Sequence, residues 1–285
     1  MRPCKLVRAY PLSAVAVGIV ILLTSCSSKP GPPQKGTPAF FWQAAIETSA
    51  AGEFVKTSEH LAKLLKTDNE FTTKAQIWKL VVDSGLSKGY MEYADAFELG
   101  ARNNKANLAP LRKQASDLRT MANAVALETA EGFAKFKEKN KDAELIFAFP
   151  FPNVSPAPVP QIPKAGRGLI MPSDEIELGM KSVLKRAVLM ATCAAVGAKE
   201  DVARTQNLFK AGEVKVPRAV FIEFMAKTLY DQAQLYSEMK LNNPDRMKIF
   251  LTQAQEAIKS IPETKDTKEL AKKIDEELKR LQKKR

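Results

Sequence analysis

Histidine is almost missing from this chain of 285 residues, in which His60 is the only one. That count excludes a paired-histidine zinc motif and a general-base network of several imidazoles. His60 itself lies between Glu59 and Leu61 on an amphipathic stretch, the setting of a structural side chain. Phosphate-loop chemistry is lacking too, because Ala165-Gly166-Arg167-Gly168 is short and has no Lys-Ser or Lys-Thr ending. Acidic pairs such as Glu175 with Glu177 match ordinary helix surface. No constellation of side chains points to catalysis, so the expectation is a protein that is not an enzyme and uses no metal.

Cysteine is also scarce, and its placement matters more than its number: Cys4, Cys26 and Cys193. Met1 to Arg8 carries Arg2, Lys5 and Arg8 without an acid, and Leu12 to Leu23 is almost wholly apolar. This is the layout of a secretory signal peptide, and the apolar run is shorter than the roughly 20 residues that cross a bilayer. Leu23-Thr24-Ser25-Cys26 follows and resembles the lipobox of bacterial lipoproteins. The resemblance implies that diacylglycerol alkylates Cys26, that the chain is cut just before it, and that the new amino group is acylated. Cys26 is then the lipid-attachment site, and its covalent lipid takes the place of any cofactor. More than one acyl chain is what stable anchoring requires. In that family an aspartate after the cysteine retains the protein at the inner membrane; here Ser27 stands there, which implies the outer membrane, with the body facing the periplasm.

With Cys4 removed and Cys26 alkylated, Cys193 is the one remaining thiol, and no intramolecular disulfide can form. The body must be stable through side-chain packing alone. Cys193 sits in the apolar run Leu189-Met190-Ala191-Thr192-Cys193-Ala194-Ala195-Val196 and reads as a buried small hydrophobe rather than a nucleophile. The formal net charge of +12 becomes +9 once Arg2, Lys5 and Arg8 leave with the signal. Such a balance suits anionic lipid, a cell-wall polymer or an acidic protein, while export excludes nucleic acid as a partner.

Apolar spacing predicts an all-α body: helical hairpins stacked as a repeat or as a bundle, with a proline-rich interruption. The expected segments are 1–25 signal peptide, 26–38 flexible tether, 39–142 N-terminal helical region, 143–172 proline- and aromatic-rich connector, 173–262 C-terminal helical region and 263–285 charged basic helix. Thr37-Pro38 can cap and open a first helix with Phe41, Ala44, Ala45 and Thr48 on one face. A break at Ala51-Gly52 leads to a second helix carrying Phe54, Thr57, Leu61, Leu64 and Leu65, which stops at Asp68-Asn69.

These residues resemble a tetratricopeptide-like repeat, with Gly52 as turn glycine, Phe41 and Phe54 at the aromatic positions, Ala45 at the helix crossing, Leu61 at a core position and Asn69 in place of the terminal proline. Thr57 and Leu64 stand where alanines are usual. A second unit reads through Trp78, Val81, Val82, Gly85, Gly89, Ala94 and Ala101, with Gly89 lying 37 residues after Gly52, near the repeat length of about 34. Stacked hairpins of this kind leave a concave surface for a partner. An ordinary helical bundle accounts for the same alanine-rich crossings. Trp42 and Trp78 both read as core.

One or two helices follow from Leu108 to Lys141, with Gly132 as a late weak point. The connector places seven prolines between Phe149 and Ser173, a density that forbids a helix and favours extended or polyproline backbone. Phe147, Phe149 and Phe151 are expected to pack on the helices, since leaving each in water forfeits about 2 kcal/mol; an exposed docking peptide is the competing reading. Further helices are expected from Ser173 to a stop at Gly197, after a cap at Asp201, from Pro217 to Tyr236, and from Asn243-Pro244 to Ile261-Pro262. The last helix carries a narrow stripe of Leu270, Ile274, Leu278 and Leu281 and five basic residues from Lys279 to Arg285, most simply a solvated end, with contact to anionic lipid as the competing reading. The expected function is a membrane-anchored, protein-binding scaffold or assembly factor of the envelope, with envelope proteins as partners. An accessory component of a transporter, or a carrier of a hydrophobic small molecule, is the alternative.

Overall fold

The first helix, α1 (Pro38–Ala50), begins as its cap dictates: the Thr37 hydroxyl accepts the Phe40 N–H at 3.3 Å and Pro38 opens the helix. Gly52, at φ +70°, turns the chain into α2 (Phe54–Leu64). Ala45 is fully buried where the two helices cross, and Thr48 and Thr57 share a hydrogen bond of 3.0 Å. The side-chain amide of Asn69 then donates to the Leu64 carbonyl at 2.9 Å, closing the end of α2. The first expected hairpin is therefore formed. The computed structural model describes Gly31 and residues 33–283. The lipobox, the apolar leader and tether residues 26–30 and 32 lie outside those residues.

The second expected hairpin is not formed at its glycine. Residues 72–103 make one continuous helix, α3 (Thr72–Asn103), that runs straight through Gly85 and Gly89. Its partner α4 (Leu108–Lys139) likewise continues through Gly132. The reason lies in helix neighbours far along the chain. A Cβ on Gly85 would sit 2.5 Å from the Cα of Val188, and one on Gly89 3.0 Å from Leu184 Cδ2, both in α6 (Ser173–Ala195). These glycines let two helix backbones approach; they do not turn a chain. Further along the same helix, Gly100 lies under the carbonyl of Ala165 in the short helix α5 (Gln161–Gly166), where a Cβ would come within 2.0 Å. α3 is thus the spine, flanked by α4 on one side and by α5 and α6 on another, with α2 and α8 (Arg218–Ala233) against its first half.

The proline-rich connector departs from expectation in detail. It contains the six-residue helix α5 despite its prolines, because Pro160 stands at the helix cap, where no N–H is needed, and Pro163, the one proline inside α5, falls within the first turn. It also contains a strand, β1 (Glu144–Phe147), paired antiparallel with β2 (Val214–Pro217) so that Leu145 faces Val216 and Phe147 faces Val214. Leu145 and Phe147 point inward and Glu144 and Ile146 outward, the period-two pattern of a half-buried strand. Phe147 and Phe149 are buried: Phe149 stacks on Trp78 at 5.5 Å between ring centres, and Phe147 meets Phe221 edge-on at 5.6 Å. Phe151 is half-buried, 5.7 Å from the ring of Phe209. The connector is a packed part of the body, which removes the exposed-peptide reading.

The C-terminal elements follow their caps. Gly197, at φ +75°, ends α6, and the Asp201 carboxylate accepts the Arg204 N–H to start α7 (Val202–Phe209). Asn243 caps α9 (Pro244–Lys259) in the same way through Arg246. α10 (Lys265–Lys283) buries Ile274 fully and sets Leu270, Leu278 and Leu281 partly against the core. Among the described residues ten α-helices and one two-stranded sheet make an all-α body, and no helix is long and apolar enough to cross a membrane.

Two glycines on the central helices should answer oppositely to the same change. Gly85→Ala should lower unfolding free energy by about 1–3 kcal/mol through backbone displacement, whereas Gly132→Ala, whose Cβ meets only Leu80 Cδ2 at 3.4 Å, should raise it by about 0.5–1 kcal/mol. Urea unfolding followed by circular dichroism checks both.

Candidate functional site

Between α3, α6 and α8 lies a half-open cleft of about 350 Å³, within the size range of small-ligand pockets. Its walls are Met91 and Ser84 from α3, Met190, Ala191 and Ala194 from α6, and Phe224 and Thr228 from α8. The alanines leave the space, and the methionines are unbranched and adaptable. The Ser84 hydroxyl is engaged elsewhere, donating to the Leu80 carbonyl at 2.6 Å. Among the polar side chains of the lining, Gln232 is the most deeply buried without a partner. Gln232 stands on the inward face of α8 between Leu229 and Ala233, is 2% exposed, and leaves both Nε2 and Oε1 without a hydrogen-bond partner among the described residues. Nε2 of Gln234, on the turn after α8, is unpartnered as well. An unpaired buried amide costs about 1–3 kcal/mol, so a molecule that paired Gln232 would recover that deficit. The rim is charged: Lys227 pairs with Asp231 at 3.0 Å, Arg186 with Glu92, and exposed Lys88 has no carboxylate at ion-pair distance among the described residues.

A second polar centre ties α2, α3 and α4 together. The Ser58 hydroxyl donates to Asp83 Oδ1 at 2.6 Å, and Lys79 donates to Asp83 Oδ2 at 2.6 Å, to Glu128 at 2.8 Å and to Ser58 at 3.1 Å. Asp83 is 1% exposed, and its burial pushes its carboxyl above the usual range against the pull of Lys79 and Ser58. Lys79 is also desolvated, which lowers its basicity, but Asp83 and Glu128 together outweigh that and hold the ammonium above its ordinary value. A lysine kept charged at neutral pH is no base for a serine nucleophile. The group therefore works as a charged pin, at the edge of a cleft of about 420 Å³ whose other walls include Lys66, Gln76, Glu131 and Lys135.

The residues singled out in the sequence are not brought together. Cys26 lies outside the described residues. Cys193 is buried, and burial raises its thiol, with the Thr205 side chain nearby as hydrogen-bond partner. His60 is half-buried with Nδ1 unpartnered, its ring 6.4 Å from that of Phe41. Trp42 stacks on Phe71 at 5.1 Å and meets Trp78 edge-on at 5.4 Å, both indoles serving the core. Glu175 and Glu177 pair separately, with Lys164 at 2.6 Å and Lys181 at 2.7 Å. Gly166 and Gly168 present carbonyls to Asn103 and Asn104 at 2.9 and 3.0 Å, a clasp holding the end of α3. Among the described residues no three His, Cys, Asp or Glu side chains are grouped as metal ligands. Sequence reasoning missed both polar centres. A glutamine on the buried stripe of α8 was the available sign of one, and Lys79 with Asp83 four residues on was half the sign of the other. Compared with known proteins, the chain matches no family model, and no curated protein or solved structure is significantly similar to it.

Removing Lys79 leaves Asp83 buried and uncompensated, so Lys79→Met should cost about 3–5 kcal/mol of stability at neutral pH. Because the Asp83 carboxyl is raised, the folded state holds its proton more tightly than the unfolded chain. The stability linked to that proton is present below the ordinary carboxylate range and is lost as pH rises through the raised value. The deficit of Lys79→Met should consequently shrink in acid, and Asp83→Asn added to it should restore most of the loss. Urea unfolding of the single and double variants across pH checks this.

Proposed function

We propose that the protein is a non-enzymatic, lipid-anchored helical binding protein of the bacterial envelope that holds an acidic envelope protein near the membrane. The observation that carries the reading is an apolar patch beside the clasp between α3 and α5. Leu99 is 52% exposed, Leu169 46% and Ile170 56%, in a segment tied to α3 through Asn103 and Asn104. Rigidly presented apolar side chains of this size favour an interaction site. Arg102, Lys105 and Arg167 are exposed along the same two segments, and this basic edge complements an acidic rim on the partner. The lipobox-like Leu23-Thr24-Ser25-Cys26 supports attachment through Cys26, and Ser27 supports the outer membrane. Carriage of a small apolar molecule, as a transporter accessory would do, is a second reading favoured by the cleft around Gln232.

Cys26→Ala should move the protein from the membrane fraction to the soluble periplasmic fraction; unchanged fractionation would refute the anchor. A photo-crosslinking residue placed at Leu169 in intact cells should yield an adduct with an envelope protein, and one at Met239, exposed elsewhere on the body, should not. The adduct should fall by about tenfold with Arg102→Glu and Arg167→Glu together. No protein adduct at Leu169, or equal adducts at both positions, would sink the scaffold.

A further inference from the structure

We propose that the cleft between α3, α6 and α8 binds a small, mostly apolar molecule carrying one uncharged amide, either a primary amide or a lactam, paired by the side-chain amide of Gln232. This rests on the reading of that cleft as a ligand site and adds the chemistry it selects. On one edge of its planar amide Gln232 offers an N–H donor beside the carbonyl acceptor, and neither Nε2 nor Oε1 has a partner among the described residues. A cis amide offers the complementary pair in the same plane, so a single group satisfies both ends. A carboxylate supplies acceptors only; it would leave Oε1 of Gln232 unpaired and would bury its charge in an apolar wall. The rest of the lining, with Met91, Met190, Ala191 and Phe224, suits a hydrocarbon or aromatic body. Both methionines can shift rotamer to let the amide reach the inner wall. Lys88 and Lys227 stay at the rim, where water solvates them.

The test uses the full chain with its glutamine side chains labelled with nitrogen-15, and benzamide, benzoate and toluene as probes. Benzamide should shift the side-chain NH₂ resonances of Gln232, with a Kd on the order of a millimolar for so small a probe. Gln232→Met should weaken benzamide by about tenfold and leave toluene within about twofold, because only the paired hydrogen bonds are lost. Benzoate should bind weakly to both forms. Filling the space with Ala194→Phe should abolish benzamide and toluene alike. Equal binding of benzamide and toluene to wild type and Gln232→Met would overturn the amide recognition and leave the cleft as a plain apolar site. Absence of binding by every probe, with the Gln232 NH₂ in contact with ordered water only, would overturn the ligand site itself.

Discussion

At Gly85 and Gly89 the backbones of α3 and α6 approach so closely that one methyl group on either glycine meets Val188 or Leu184. The rest of the body depends on that crossing. It puts α6 into contact with the middle of a 32-residue helix, and it brings residues about a hundred positions apart into one core. Glycine weakens a helix interior by about 1 kcal/mol against alanine. Here the deficit is offset by close backbone approach, with Leu86, Tyr90 and Val183 buried in the core and Ala187 buried against Gly89. Gly100 under Ala165 and Gly179 beside Tyr93 extend the same arrangement towards the end of α3.

Given that spine, the connector is no longer a linker. Its aromatic run joins Trp78, Phe209 and Phe221 in one chain of ring contacts, and its strand borrows a partner from beyond α7. The prolines do not prevent this, because they fall at caps, at helix starts and in extended backbone. Chain segments that look separate in composition therefore share one core, and residues 33–283 belong to a single compact unit.

Both polar centres are consequences of where the spine is crossed. α3 presents Lys79 and Asp83 to α2 and α4, and on another face, beginning at the very next residue, it presents Ser84, Lys88 and Met91 to α6 and α8. The first centre satisfies itself, since every charged atom of Asp83 and Lys79 finds a partner. The second does not: Gln232 lines the cleft beside the small alanines of α6, but its amide nitrogen and oxygen are themselves covered and have no partner among the described residues. A satisfied network rigidifies; an unsatisfied amide at the wall of a cleft is what the proposed amide recognition rests on. That asymmetry, between two clefts of similar volume, separates a structural centre from a candidate for recognition.

What the sequence by itself determined was local. Caps at Thr37, Asp201 and Asn243, the turn at Gly52 and the stop at Gly197 are short-range effects of side-chain hydrogen bonding and of glycine's tolerance of positive φ, and each stands in the structure where it was read. The helical class followed from apolar spacing. Only the tertiary structure decided what Gly85 and Gly89 are for, because a glycine that turns a chain and one that admits a neighbouring backbone look identical in one dimension. The same holds for Gln232, whose unpaired amide is a property of three helices meeting. Ser58 and Glu128, too, become partners of Lys79 and Asp83 only because α2 and α4 both pack on the spine.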